Sequence, residues 1–364
     1  MSGSTKNAMS AKRRSLGAIA IIEAILLLVL ICIPFLFSDF SVTIITRILI
    51  LALLAISFDL CWGYSGILSF GQALFFGVSA YAVTLLANNA GLTQIWIILP
   101  VGMAIGFVLA LTLAWCLLLG KRRPEPIFVA VGTLTASYAA ERLVAGWQWV
   151  GAGNGMSVSP FLQIGSYDIE PGPVFYCVAV VVLLIVYLAS RYLVRSQFGL
   201  VLAGMRQNEE RLSYLGYRAQ LFKALVFSFA GMIAGLAGSL YAFHEGFVGP
   251  GSMGFTLSTY VVLYALFGGA GTLVGPIIGV AVIEGLSFAL SDFDSIRSLW
   301  PVILGAIMLV VVVYKPTGIL GFVVSQREKV GSFGPRTQAP KIPRPGSQVV
   351  GNAAGVTERS DGVA

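Results

Sequence analysis

The sequence predicts an all-α polytopic membrane protein of about ten transmembrane helices, and three observations carry that prediction. Charged residues make up 11% of the 364-residue chain and the hydrophobic set 57%, where a soluble domain carries about 25% charged residues. Charge-free runs of roughly 20 residues, enough to cross a hydrocarbon layer of about 30 Å, recur along its length. These runs lack the period-two alternation of barrel strands, so helices must satisfy their backbone groups inside lipid.

The spans fall near residues 17–37, 42–61, 67–88, 95–119, 127–145, 174–194, 223–243, 256–270, 272–291 and 299–314, the eighth short enough for a half-helix. Leu16 to Phe37 has spanning length and no small-residue cleavage site, so the first span stays with the protein. Residues 1–16 form a cytoplasmic N-terminal tail and 17–321 the membrane domain. Residues 322–364, rich in Gly, Pro, Ser, Gln and charge, cannot bury enough apolar surface to order and are expected to be a disordered cytoplasmic tail.

Orientation follows from the cations. All but Arg47, Arg142 and Arg297 of the 23 Lys and Arg fall on the tails and loops of one side, including Lys121, Arg122, Arg123, Arg191, Arg195, Arg211, Arg218 and Lys223. Asp39, Asp168, Glu170, Glu245, Asp292 and Asp294 fall on the other. Short positive loops stay inside, so both termini are expected in the cytoplasm. The net charge of +7 is then a matter of topology and requires no nucleic-acid partner. Cys32, Cys61, Cys116 and Cys177 lie in or at the ends of spans without metal-ligand spacing, and pack as small hydrophobes. No metal site is expected; no His/Asp/Glu/Cys constellation offers catalysis, so the chain is not expected to be an enzyme.

One hydrophilic stretch interrupts this pattern: GMRQNEERLSYLGY, residues 204–217, between the sixth and seventh spans. Met205, Asn208, Leu212 and Leu215 share one narrow helical face, while Arg206 and Glu210 sit i,i+4 on another. Gly216 supplies the helix stop. The spacing predicts one short amphipathic helix at the membrane surface, which either rests on headgroups or docks a soluble partner. Glu209 and Glu210 suit anionic lipid poorly.

Glycine interruptions mark a candidate substrate path, because a broken helix frees backbone groups to face a cavity. Gly63, Gly66 and Gly71 precede the third span; Gly268, Gly269, Gly271, Gly275 and Pro276 lie between the eighth and ninth; Gly246, Gly249, Gly251 and Gly254 precede the eighth. A 5+5 inverted repeat would make 63–71 and 246–254 equivalent approaches to the third helix of each half. The alternative is that these glycines only permit close helix packing. Beside the first break, Tyr64, Ser65, Ser69 and Gln72 can hydrogen-bond a zwitterion or amide, with Ser69 and Gln72 three apart on one helix face. Glu284, deep in the ninth span, should meet a donor, as a structural pair or a substrate contact. Glu23, Arg47 and Asp59 sit nearer helix ends, where they can snorkel. Glu141, Arg142, Trp147 and Trp149 form an outer interfacial belt, and His244 is expected to be solvated.

The run RQNEERLSYLGYRAQLFKALVFSFAGMIAGLAGSLYA, residues 206–242, closely resembles the coupling-helix region of permeases in the branched-chain amino acid ABC importer family. Glu210 and Gly216 keep the six-residue separation of the Glu-Ala-Ala-x-x-x-Gly loop of such permeases, with Arg211 and Leu212 replacing the two alanines. DLCWGYSGILSFGQALFFGVSAYAVTLL at 59–86, GAGNGMS at 151–157, FGGAGTLVGPIIGVAVIEGL at 267–286 and YKPTGILG at 314–321 resemble the same family, so the likeness covers residues 40–321 in order. The resemblance implies a bacterial inner-membrane permease that pairs with a second homologous permease subunit, two cytoplasmic ATPase subunits and a periplasmic or lipoprotein substrate-binding protein. It implies that Arg206, Glu209, Glu210, Arg211, Leu212, Leu215 and Gly216 couple to the ATPase. The chain has no G-x-x-x-x-G-K-[ST] loop, so ATP belongs to the partners and no cofactor is expected here. The implied solute is a branched-chain amino acid, with urea or a short amide as the competing reading. An ion-coupled secondary transporter or channel, relaying through Glu284 and Asp59, is disfavoured because ionisable residues within the spans are few and unclustered.

Overall fold

Residues 38–120 and 125–290 are described by the structure, a computed structural model, together with positions 30, 33, 34, 300, 302–307, 309, 318 and 319. The tails at 1–16 and 322–364 lie outside the described residues, as do the spans at 17–37 and 299–314 apart from those positions.

The chain is built around α1 (Asp39–Asp59), prolonged by one π-helical turn at Leu60–Tyr64. Every residue from Leu49 to Cys61 is buried. A helix that is apolar on all faces requires neighbours on all faces. They are α5 (Pro173–Arg195), α8 (Ala219–Glu245), α9 (Phe255–Gly268) and α10 (Val274–Leu290). The remaining long helices are α2 (Gln72–Ala90), α3 (Ile95–Leu117) and α4 (Pro126–Gly146). Two short helices, α6 (Gln197–Gln207) and α7 (Glu209–Tyr214), link α5 to α8.

The most extensive helix pair is α3 with α8, and its closeness depends on glycine. A β-carbon added at Gly106 would lie 2.9 Å from Cα of Gly235, and one at Gly235 would lie 3.0 Å from Cα of Gly106. Small residues let the two backbones meet where apolar surroundings supply no hydrophobic drive. Farther out the helices stay bare. Trp96, Val108 and Trp115 on α3, Ile127, Phe128 and Leu143 on α4, and Val181 and Ile185 on α5 are exposed apolar side chains, as a lipid-facing surface requires.

Among the described residues six helices are long and apolar enough to cross a membrane: 39–64, 72–90, 95–117, 126–146, 173–195 and 219–245. They match the second to seventh spans read from the sequence, although α2 starts at Gln72 rather than near 67. The eighth and ninth spans correspond to shorter helices, α9 of 14 residues and α10 of 17. Between them Gly269 (φ 112°), Gly271 (φ 81°) and Leu273 (φ 59°) take conformations that no helix can include.

Contacts sort the loops to two ends. At one, Gln220 Nε2 donates to the Gly120 carbonyl at 3.3 Å and Lys223 meets Glu209 at 2.6 Å. At the other, Asn88 donates to the Ser157 carbonyl at 2.8 Å and Thr93 Oγ1 to Gln163 at 2.7 Å. This second end holds short strands that the all-α expectation omits: β1 (Met156–Ser157), β2 (Leu162–Ile164), β3 (Tyr167–Ile169) and β4 (Phe247–Val248). β2 and β3 form a hairpin and β1 pairs antiparallel with β4, which satisfies loop backbone that has no helix to join. Arg142 donates to Tyr138 OH at 2.9 Å here, near the exposed pair Trp147 and Trp149.

Replacing Gly235 with valine is expected to destabilise the fold by about 1–3 kcal/mol through overpacking. Thermal unfolding in detergent, compared with Gly285→Ala where a β-carbon meets nothing within 4 Å and the backbone is helical, measures it.

Candidate functional site

Two stretches of non-helical backbone enter the helix set from opposite ends. The first, Ser65–Gly71, separates the π-turn from α2; the second, Gly246–Gly254, contains β4 and one 3-10 turn before α9. Buried backbone outside a helix must find partners elsewhere. Phe70 N–H donates to Thr133 Oγ1 at 3.0 Å, and its carbonyl accepts from Ser258 Oγ at 2.7 Å. The Met253 carbonyl accepts from Ser137 Oγ at 2.5 Å. Thr133 and Ser137 are i,i+4 on α4, so one helix face holds both stretches. The second stretch also packs closely on α2, because a β-carbon at Gly77 of that helix would lie 2.9 Å from Cα of Met253.

Sequence reasoning missed Thr133, Ser137 and Ser258. The available signal was a pair of hydroxyls at helical spacing in an apolar run. Such side chains ordinarily bond their own helix, as Thr133 also does to the Val129 carbonyl at 2.9 Å.

The polar residues of the first break turn inward. Ser69 Oγ accepts from Gly71 N–H at 3.1 Å. Gln72 opens α2 fully buried, accepting from Ser57 Oγ at 3.1 Å and directing Nε2 at Cys61 Sγ at 3.4 Å. Ser69 and Gln72 therefore do not share a helix face, because Ser69 lies in the break and the helix begins only after Gly71.

Gly63, Gly66 and Gly271 gather at the cation-rich end. Arg206 Nη1 donates to the Gly63 carbonyl, and the β-carbon positions of Gly66 and Gly271 lie 3.6 Å from its Cγ and 3.5 Å from its Nη1. Beneath them Asp59 is fully buried rather than snorkelling. Its carboxylate accepts from Gly271 N–H at 2.6 Å and Leu273 N–H at 3.0 Å, closing the turn between α9 and α10. Tyr64 is buried in the same π-turn. Gly268 packs against backbone of Gly275, and Gly269 against Gly318, where close approach needs no side chain.

The hydrophilic stretch at 204–217 is two helices, not one amphipathic helix. Asn208 adopts an extended conformation and its Oδ1 accepts from Arg211 N–H at 3.0 Å, so it ends α6 and caps α7. Glu209 and Glu210 occupy the first turn of α7, where the helix dipole favours acids. Met205 and Leu212 are buried, whereas Tyr214 (87%) and Leu215 (73%) are exposed. The proposed single face is thus split by the cap. Gly216, at φ 84°, stops the chain after α7 as expected. Glu210, Arg211, Tyr214, Leu215 and Gly216 form an exposed tip.

Glu284 accepts from Tyr264 OH. His244 is buried rather than solvated, since α8 ends beneath α5 with the imidazole 5.3 Å from the Phe175 ring. Its Nδ1 lies 3.4 Å from Glu245, which lies 3.8 Å from Arg47.

Residues 40–312 match the family described as branched-chain amino acid transport system / permease component. The chain belongs to that family. Both breaks, the Arg206 contact and the exposed tip lie inside the matched permease region. LivM of Salmonella typhimurium, a high-affinity branched-chain amino acid transport system permease protein, is 26% identical over 324 residues, covering 81% of this chain and 73% of the relative. LivH of the same organism, a permease protein of the same description, is 22% identical over 281 residues, covering 74% and 91%. LsrC of Yersinia enterocolitica, an autoinducer 2 import system permease protein, is 26% identical over 204 residues, covering 54% and 51%. No solved structure matches.

Thr133→Val leaves the Phe70 N–H without its acceptor and is expected to cost about 1–3 kcal/mol. Hydrogen exchange should accelerate across 65–72 and leave the centre of α3 unchanged.

Proposed function

We propose that this family member is a permease subunit of an ATP-binding cassette importer, forming the path for branched-chain or related amino acids across a bacterial inner membrane. The observation that carries the reading is the family match over residues 40–312, which contains both an exposed loop tip and two broken segments held inside the helix set by one face of α4. In this reading the chain is multi-pass with ten spans and both termini in the cytoplasm. The sorting of loops to two ends, with the cation-rich loops together, supports that arrangement.

ATP is bound and hydrolysed by two separate cytoplasmic subunits, and a periplasmic or lipoprotein protein delivers the solute. The other half of the pore is a second, homologous permease; that LivM and LivH are distinct permease proteins of like description supports a pair of unlike chains. The docking surface is Glu210, Arg211, Leu215 and Gly216, with Glu209 and Leu212 holding the loop from within and Arg206 joining it to the Gly63 turn. The path follows the segments from Gly63 to Gln72 and from Gly268 to Gly271, with Glu284 beside it. A glycine stretch, a final glycine and a new helix occur in the same order at 63–72 and 246–255, which supports a 5+5 inverted repeat.

Proteoliposomes containing this chain, the second permease and the ATPase pair, supplied with loaded binding protein, are expected to accumulate labelled leucine only with ATP. Uptake by this chain alone would sink the reading. Glu210→Arg reverses charge at the docking tip and is expected to lower ATPase co-purification and uptake together, by about ten-fold or more.

A further inference from the structure

Arg206 stands in the last turn of α6, beside the exposed tip, yet its guanidinium reaches back into the helix set. It donates to the carbonyl of Gly63 at the foot of the first break, a charge-assisted bond stronger than an ordinary backbone contact. Gly66 and Gly271 leave room along its side chain, as their β-carbon positions show. Gly63 is held from its other side too: a β-carbon there would lie 2.9 Å from the Asp59 carboxyl carbon and 2.5 Å from the Gly271 nitrogen. Asp59 in turn binds the Gly271 and Leu273 amides. Leu273 keeps a left-handed backbone, which a branched side chain seldom adopts without outside support. One short series, Arg206 to Gly63 to Asp59 to Gly271, thus joins the loop to the foot of the first break and to the turn between α9 and α10.

We infer that Arg206 and Asp59 are positioning residues that transmit displacement of the loop to both glycine turns. This rests on the proposed importer role and adds to it. Arg206 belongs to the transmission and not to the docking surface. Movement of α6 draws on the Gly63 carbonyl, and because Asp59 fastens the same turn to Gly271, the two turns shift as one body.

The test uses the assembled importer and reads solute moved per ATP hydrolysed, a ratio that loss of folded protein does not change. In Arg206→Gln the ATPase should co-purify as in the wild type and ATP hydrolysis should stay within about two-fold, while the ratio falls about ten-fold, as expected for losing a hydrogen bond to a charged group. Arg206→Lys, whose ammonium stops about one bond short of the guanidinium reach, should fall between. Asp59→Asn should lower the same ratio, and an unchanged ratio there removes Asp59 from the linkage. A wild-type ratio in Arg206→Gln, or in Arg206→Lys should the glutamine variant not fold into the membrane, overturns the inference. Loss of ATPase co-purification in Arg206→Gln overturns it as well, by making Arg206 a docking residue. Leucine uptake by wild-type complexes lacking the ATPase would instead overturn the importer reading, so the two failures are distinguishable.

Discussion

Backbone amides and carbonyls released from a helix inside an apolar surrounding have no water to turn to, and the protein must supply every partner. The architecture follows from this demand. Where the chain leaves helical geometry within the helix set, polar side chains from distant segments receive part of the freed backbone. Thr133, Ser137 and Ser258 serve the middle of the structure, and Asp59 and Arg206 serve the cation-rich end.

The two ends of this scheme use different chemistry for different reasons. Hydroxyls are small, neutral and able both to donate and to accept, so a single Thr133 can serve its own helix and Phe70 together. A carboxylate offers several lone pairs and can bind two amides in a turn, which is what Asp59 does at Gly271 and Leu273. Glycine completes both arrangements by omission. At Gly63 and Gly77 even a methyl group would strike neighbouring backbone.

The long helices were legible in the sequence because their signal is local: length, apolarity and the absence of charge. The glycine stop at Gly216 was legible for the same reason, as was the hydrophilic loop. The break at Asn208 was not, since helical spacing continues through it and only the capping geometry, Oδ1 to the Arg211 amide, marks the new start. Asp59 looked like a residue near a helix end; its partners lie more than 200 positions away and leave no periodic trace. His244 misled in the opposite sense, because a lone histidine at a helix terminus gives no sign of the Phe175 ring that covers it. Thr133 and Ser137 were hidden by their ordinariness in an apolar helix. The resemblance located the family across residues 40–321, close to the 40–312 that match it, but resemblance alone does not assign hydrogen bonds.

The glycine seam between α3 and α8 has a mechanical meaning. At 1.5 Å per residue the 27 residues of α8 reach about 40 Å, and the Lys223 tie with Glu209 and the Glu245 contact with Arg47 stand about 33 Å apart along it. Sewn to α3 along Gly102, Gly106, Gly231 and Gly235, this rod is doubled in thickness and has little freedom to buckle. A push at its foot therefore arrives at its head as translation or tilt, and the far surface feels what the near surface is told.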